Sequence, residues 1–379
     1  MKGWEQMKFI RTIHAVGQGA FYTEKLCFKN QQYNVVYDCG SATSKKNIDN
    51  EIVATYNQDE EIIAVFISHF DVDHINGLEK LLTYCKVKYV FLPVISWDRL
   101  HIIADDKNSA FVRNMVKDPV AHICKMSQST KVVFVRPLYD EDDQGSFLYD
   151  GYDEIRMNNK IFYLEDSIPG QVGMMNSGTK IQLSSWVDRW VYVPCNVVER
   201  ALISALQGAL LAEDITCTST HPDDLSKAKE VFDRFIPKKD RNIRSMVVYS
   251  GGMDAWKTAG YYEERGIAWL RFYGHRIKSG CMYLGDLKLH TELLKQLEDS
   301  YQMYRNNVGM VQVPHHGSRH NFHEDVFCLF KSAELYFICA GTKNKYRHPD
   351  VKVVQEIIVS GKILVKIAES CPLVIKGIW

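Results

Sequence analysis

The chain has 379 residues, 46% of them hydrophobic and 24% charged, an ordinary globular balance that excludes a mostly disordered or collagen-like chain. Lys and Arg number 46 and Asp and Glu number 46, so no global basic field draws in nucleic acid, and a polyanion has to be caught locally, by a metal or a small patch. At roughly 150 residues per domain the length suits two domains or one large α/β domain with an insertion, and no apolar run of about 18 residues is present to span a membrane.

The start, Met1 to Gln6, lacks the apolar stretch of a secretory signal. The ten cysteines are scattered without a C-x-x-C pair, which is neither a disulfide framework nor a zinc ribbon. A reducing, cytoplasmic setting is expected. Strand patterning opens at Phe9–Ile13 and leads to a turn at Val16-Gly17-Gln18-Gly19. Asn34–Tyr37 reads as a strand ending at Asp38-Cys39-Gly40-Ser41, and residues 45–58 read as a helix. Glu61–Ser68 is a continuous apolar run of strand length, the pattern of a strand covered on both faces. It stops at a polar cluster; a helix starts at Gly77, and Lys88–Val94 is the next strand. This rhythm predicts a layered α/β domain, in which ligands collect at the carboxyl ends of strands.

Residues 139–240 interrupt the rhythm. The segment begins acidic (Asp140-Glu141-Asp142-Asp143), holds an aromatic strand over Trp186–Val193 and one clear helix near Glu199–Leu211. Without a Pro/Gly/Ser linker or a repeat, it reads as an insertion on the same domain, giving one domain over 1–379. Beyond it Ser245–Tyr249, Cys281–Leu284, Met310–Val313 and Glu334–Cys339 read as strands, with helices around 290–299 and 323–331, and Ile363–Ile367 and Leu373–Ile375 close the sheet.

Four polar sets sit just past apolar strands. His69-Phe70-Asp71-Val72-Asp73-His74 puts two imidazoles and two carboxylates within six residues, a metal-ligand set. Residues 69, 71 and 73 share one parity, and Asp73 is also placed to cap a helix beginning near Ile75. Gly285-Asp286 offers a carboxylate able to bridge two cations, or a plain turn. Pro314-His315-His316-Gly317-Ser318 offers a ligand plus a supporting or substrate-contacting histidine. Asn344-Lys345-Tyr346-Arg347-His348-Pro349 offers an amide, a phenol, a guanidinium and an imidazole, all suited to anions.

In this order the motifs resemble the metallo-β-lactamase fold, and specifically the subgroup similar to the hydrolase domain of the competence protein ComEC. The matching segments are Val16–Gly19, Asp38–Ser41, Ser68-His69-x-Asp71-x-Asp73-His74-x-x-Gly77-Leu78, Asn242-x-x-Ser245, Leu284-Gly285-Asp286, Pro314–Ser318 and Asn344-x-Tyr346-x-His348-Pro349. The resemblance implies a four-layer αβ/βα sandwich with a divalent metal, zinc or manganese as one or two ions, held at one edge. It implies His69 and Asp71 at one metal position, Asp73 and His74 at the second, Asp286 bridging, and His315 or His316 completing the second. Asp38 would orient a ligand by hydrogen bonding. Asp73 or Asp71 would orient a hydroxide, and Ser318, Asn344, Tyr346 and His348 would grip substrate oxygens or protonate a leaving group.

The chain departs from the wider superfamily in having Asp71 where a second histidine is usual and no histidine in the 242–246 segment; His275 is a candidate replacement. More carboxylate and less imidazole shifts preference from zinc toward manganese or magnesium. Ala20 stands where the subgroup carries an acid. The expected function is metal-dependent hydrolysis of phosphodiesters, with nucleic acid or a small diester as substrate and the run Lys238-Lys239-x-Arg241-x-x-Arg244 as a backbone contact. The alternatives are a small-molecule hydrolase (cyclic nucleotide, lactone or thioester) with a pocket roofed by Trp186, Trp190 and Tyr192, or a metal-stabilised interaction module with protein partners in a bacterial defence system.

Overall fold

The computed structural model describes residues 7–29, 31–105, 109–138, 161–168, 170–185, 187–236, 244–253, 261–264 and 277–378. The first part of the chain runs β1 (Lys8–Ile13), β2 (Gly19–Phe28), β3 (Gln31–Ser41), α1 (Lys45–Thr55), β4 (Glu61–Phe66), α2 (Val72–Ile75), α3 (Leu78–Tyr84) and β5 (Lys86–Pro93). Then come α4 (Arg99–Ala104), α5 (Ala110–Lys117), α6 (Pro119–Met126) and β6 (Lys131–Val135). The middle holds β7 (Ile161–Tyr163), β8 (Val172–Met175), β9 (Lys180–Ser184), β10 (Val187–Val198), α7 (Arg200–Leu211) and α8 (Pro222–Phe235). The last part holds β11 (Arg244–Gly252), β12 (Tyr261–Glu264), β13 (Gly280–Tyr283), α9 (Thr291–Tyr301), β14 (Val308–Gln312) and α10 (Val326–Leu329). It closes with β15 (Leu335–Cys339), α11 (Val351–Val359), β16 (Ile363–Ile367) and β17 (Leu373–Ile378).

These strands form two mixed sheets, ordered β12-β17-β1-β2-β3-β4-β5-β6-β8 and β16-β15-β14-β13-β11-β10-β9-β7. β4 and β5 pair in parallel through Ile62↔Val87 and Val65↔Val90, and their neighbours are parallel too. A strand so enclosed needs apolar residues on both faces, which is why Glu61–Phe66 shows no alternation. Ile62 and Val65 belong to the core shared with α1, α3, α5 and α6, which contribute Ile48, Leu81, Val112 and Ile123. Ala64 and Phe66, with Ile63, belong to the core between the two sheets. On the far side, Leu293 and Leu297 of α9, Val326 of α10 and Ile357 of α11 cover that sheet. The result is the four-layer αβ/βα sandwich expected from the motif order.

The described part of residues 139–240 is built into both sheets. β8 extends the first, while β10 lies inside the second, paired with β11 from Trp190↔Gly252 to Val198↔Arg244. Its helices α7 and α8 gather with α4 around Leu100, Leu206, Val231 and Phe232 as a small separate core. Trp190 and Tyr192 are buried between the sheets as core residues. The cavity beside Tyr192 measures about 10 Å³, room for a single water at most. Trp186, the Asp140–Asp143 run, Lys238, Lys239, Arg241, Asn242 and His275 lie outside the described residues. Arg244 is no backbone contact: it is buried, with Nε 2.9 Å from Asp98 Oδ2 and Nη1 donating to the Val94 carbonyl at 2.6 Å. Among the described residues no helix is long and apolar enough to cross a membrane.

Candidate metal centre

The polar sets converge because they leave strands at the same edge of the sandwich. β4 runs into Ser68–His74, β13 into Gly285-Asp286, β14 into His315-His316 and β15 into the 341–348 loop. Asp73 lies inside α2, whose capping position is Asp71, so it does not cap a helix at Ile75.

Asp38 is the surplus residue of a β-bulge. β2 and β3 pair Phe21↔Cys39 and then Tyr22↔Tyr37, leaving Asp38 unpaired at φ +55°. Such a bulge re-aims a side chain, here away from the alternation that would otherwise bury it in a layer. The fully buried Asp38 carboxylate accepts from the Ser68 N–H (2.7 Å), the Ser68 hydroxyl (2.7 Å) and His74 Nδ1 (2.8 Å). The expected orienting role thus has its geometry.

The proton positions of three imidazoles follow from this network. His74 Nδ1 faces a carboxylate and must carry hydrogen. His316 Nδ1 lies 2.7 Å from the Cys339 carbonyl oxygen, an acceptor only, so it also donates. Ser68 spends its one hydroxyl hydrogen on Asp38, so its oxygen accepts from His69 Nδ1 at 2.8 Å. Every Nε2 therefore offers its lone pair when the ring is neutral. Each points inward at carboxylate oxygens: His74 Nε2 is 3.2 Å from Asp286 Oδ1, His316 Nε2 is 3.0 Å from Asp73 Oδ2, and His69 Nε2 is 3.8 Å from Asp286 Oδ2. Among the described residues the buried His69 Nε2 has no hydrogen-bond partner.

Lone pairs facing lone pairs at these spacings need a cation between them, either a proton or a metal. Donors about 2.0–2.2 Å from a tetrahedral ion sit roughly 3.3–3.6 Å from one another, close to the separations here. Among the described residues, two groups have donor atoms within 4.8 Å of one another, His69–His74–Asp286 and Asp73–His74–His316, and they share His74. The residues fit a divalent ion. In the metal-free chain, burial would lower the His74 and His316 pKa values, but Asp286 with Asp38 or Asp73 holds both raised. Burial would raise Asp73, but the bond from His316 and the His74 charge hold it at about 2. Asp286 lies well below the usual range, its burial outweighed by His315, His74 and His316.

Other residues of the set fall differently. Asp71 is half exposed and outside both groups, 3.7 Å from His69 Nε2. His315 is also outside, partly exposed, its Nε2 3.7 Å from Asp286 Oδ2. His315 and His316 are both left-handed (φ +48° and +56°), strain typical of functional turns, and this turn sends the two rings in different directions. His348 is half-buried, 5.7 Å from the His315 ring and stacked on Tyr346, itself mostly exposed. Burial, then the charges of His315 and His316, pull its pKa to about 4. Asn344 braces its own loop: its amide donates to the Gly341 and His348 carbonyls and accepts from the His348 N–H, each at 2.7 Å. Ser318 is buried beside His315.

Sequence reasoning passed over Ser68 and the Cys339 carbonyl as supports, and Gly40 as a spacer. A Cβ on Gly40 would lie 2.5 Å from Asp73 C and 2.6 Å from His74 N. Only glycine lets the ligand segment lie against β3. Gly40→Ala is expected to displace Asp73 and His74 together, lowering metal affinity by roughly tenfold or more, as loss of supporting geometry does elsewhere. Chelator competition on the folded variant measures this.

Residues 28–91 match the family model described as the metallo-beta-lactamase superfamily. That stretch contains Asp38, His69, Asp71, Asp73 and His74. Among solved structures, the crystal structure of unliganded yeast PDE1 aligns over 97% of this chain and 99% of its own, at 8% identity and a TM-score of 0.39. No curated protein matches the chain. The architecture is consistent with the metallo-β-lactamase fold, and the matched segment carries His69, Asp73 and His74 of the donor set.

Proposed function

We propose that the protein is a metal-dependent phosphodiesterase acting on nucleic acid or a small diester, similar to the ComEC-type subgroup. His69, His74, Asp73, Asp286 and His316 would hold one or two zinc or manganese ions, with Asp71 and His315 at the rim. The observation that carries the reading is the set of three imidazoles, each locked by its Nδ1 hydrogen so that a lone pair converges on two buried or part-buried carboxylates. A divalent ion held there supplies Lewis acidity and a hydroxide nucleophile at neutral pH. Asp73, ionised at any physiological pH, orients a water by accepting its hydrogen bond. His348, neutral at pH 7, offers an N–H to a phosphoryl oxygen.

The preference for phosphodiesters rests on the rim. Lys343, Lys345 and Arg347 are exposed on the His348 loop and have no ion pair among the described residues. The Lys345 ammonium lies 4.9 Å from the Tyr346 ring centre. A neutral chain with a local cationic rim suits an anion delivered to the metal edge. The test is to strip the protein with chelator, reload it with Mn²⁺ or Zn²⁺, and assay bis-p-nitrophenyl phosphate, single- and double-stranded DNA, RNA and a chromogenic lactam. Metal-dependent diester cleavage is expected, reduced more than roughly a hundredfold in Asp73→Ala, beyond the usual effect of losing an outer support. In Lys343→Gln/Lys345→Gln/Arg347→Gln the salt dependence of single-strand binding should weaken by about two in log–log slope. Turnover confined to the lactam overturns the phosphodiester reading. Stoichiometric metal without turnover on any substrate points to the interaction module.

A further inference from the structure

Between the sheets, beside the cross-sheet bonds of Tyr37 to the Met246 carbonyl and of Asn196 to the Val94 and Val135 carbonyls, lies a buried ion pair. Arg11 of β1 and Glu24 of β2 are register partners, 0% and 3% exposed, with Nε 2.7 Å from Oε1. Both reach across to the second sheet. Arg11 donates to the carbonyls of Ser279 (2.9 Å) and Ser250 (3.2 Å). Glu24 accepts from the hydroxyls of Tyr283 (2.7 Å), Tyr192 (2.9 Å) and Ser250 (2.6 Å). Tyr283 then stacks on Tyr37 (4.8 Å between centres) and on Tyr22 (5.6 Å), and Tyr22 meets Phe337 edge-on.

Three members of this stack lie on strands that carry part of the metal edge, and Tyr22 of β2 joins them. Tyr37 precedes Asp38, Tyr283 lies on the strand leading to Asp286, and Phe337 lies on the strand whose Cys339 carbonyl holds His316. The donor set itself is split between layers: His69, Asp73 and His74 follow a strand of the first sheet, Asp286 and His316 follow strands of the second. Apolar contacts are non-directional and tolerate sliding, whereas hydrogen bonds of this kind are directional. A buried ion pair seldom adds net stability over apolar residues of similar volume, and a register role is the best-attested reason to keep one.

We propose that Arg11, Glu24 and the hydroxyls of Tyr192, Ser250 and Tyr283 are positioning residues of the metal centre, fixing one half of the donor set against the other. This rests on the reading of that edge as a metal site. The test is Arg11→Met/Glu24→Leu, with Tyr283→Phe as the milder variant. Three quantities are read: melting of the metal-free protein, Zn²⁺ affinity by competition with a chromophoric chelator, and the imidazole Nδ1–H signals of His74 and His316 in the metal-free protein. A lower melting temperature is expected, because the Tyr192, Ser250 and Tyr283 hydroxyls and the Ser250 and Ser279 carbonyls lose a buried partner, with Zn²⁺ affinity lowered roughly tenfold and both imidazole signals displaced. Tyr283→Phe should shift both in the same sense by less, which keeps the test open if the double variant does not fold. Unaltered signals and affinity in a folded variant overturn the proposal. If the wild type takes up no Zn²⁺ or Mn²⁺, the metal-site reading fails, and the imidazole signals still decide whether the clamp sets the edge.

Discussion

His74→Ala is expected to abolish metal retention and, with it, any hydrolytic activity. His74 belongs to both donor groups, so its loss dismantles both at once, whereas loss of His69 or His316 leaves one intact. The ring is fully buried between two carboxylates, 2.8 Å from Asp38 and 3.2 Å from Asp286. Alanine leaves both acids without the cation or the hydrogen that balanced them. Breaking a buried pair by removing one partner costs about 3–5 kcal/mol, so a lower melting temperature should accompany the loss of metal. Metal content by mass spectrometry, beside scanning calorimetry of the metal-free proteins, checks both parts. Equal metal content in wild type and variant would remove the active-site assignment.

Asp38→Asn should leave the fold and spoil the ligand. The asparagine oxygen can still accept from the Ser68 N–H, but the amide nitrogen then meets the Ser68 hydroxyl and His74 Nδ1, both donors in the native network. The cheapest remedy is for His74 to move its hydrogen to Nε2, presenting an N–H where a lone pair is required. Zn²⁺ affinity should fall by about 10- to 100-fold, the range for losing the carboxylate behind a ligating histidine, with kcat/KM falling in parallel. Asp38→Ala should be worse for folding, because it places a bare Cβ at φ +55° and strands the buried Ser68 N–H. Affinity within twofold of wild type in Asp38→Asn would mean that Asp38 does not set the tautomer of His74.

Much of the architecture was legible locally. The apolar run at 61–68 is β4 and its exit, the helix read at 199–211 is α7, and the strand at 363–367 has the same bounds in the structure. Periodicity and run length report whether one or two faces of an element are covered, and neither needs knowledge of distant residues. The chemistry of the edge was legible for the same reason: four metal-capable side chains in six positions, followed by Gly-Asp and His-His just past apolar runs, are features of the chain itself.

Other features depended on neighbours hundreds of residues away. Asp38 reads as the end of a strand, yet β3 continues to Ser41 and makes Asp38 a bulge, because β2 pairs along its whole length. His315 and His316 are equivalent on paper; left-handed backbone and the Cys339 carbonyl turn one inward and leave the other at the rim. Asn344 has the chemistry of a substrate contact but spends it on its own loop, and Arg244 spends its charge on Asp98. Trp190 and Tyr192 joined the core because β10 is an inner strand. Residue types and their local order settle which groups can bind a cation and which elements carry them. Which of them meet is decided by strand register and sheet packing, since hydrogen bonds across 200 or more residues, such as Tyr37 to Met246, exist only once the two sheets have closed.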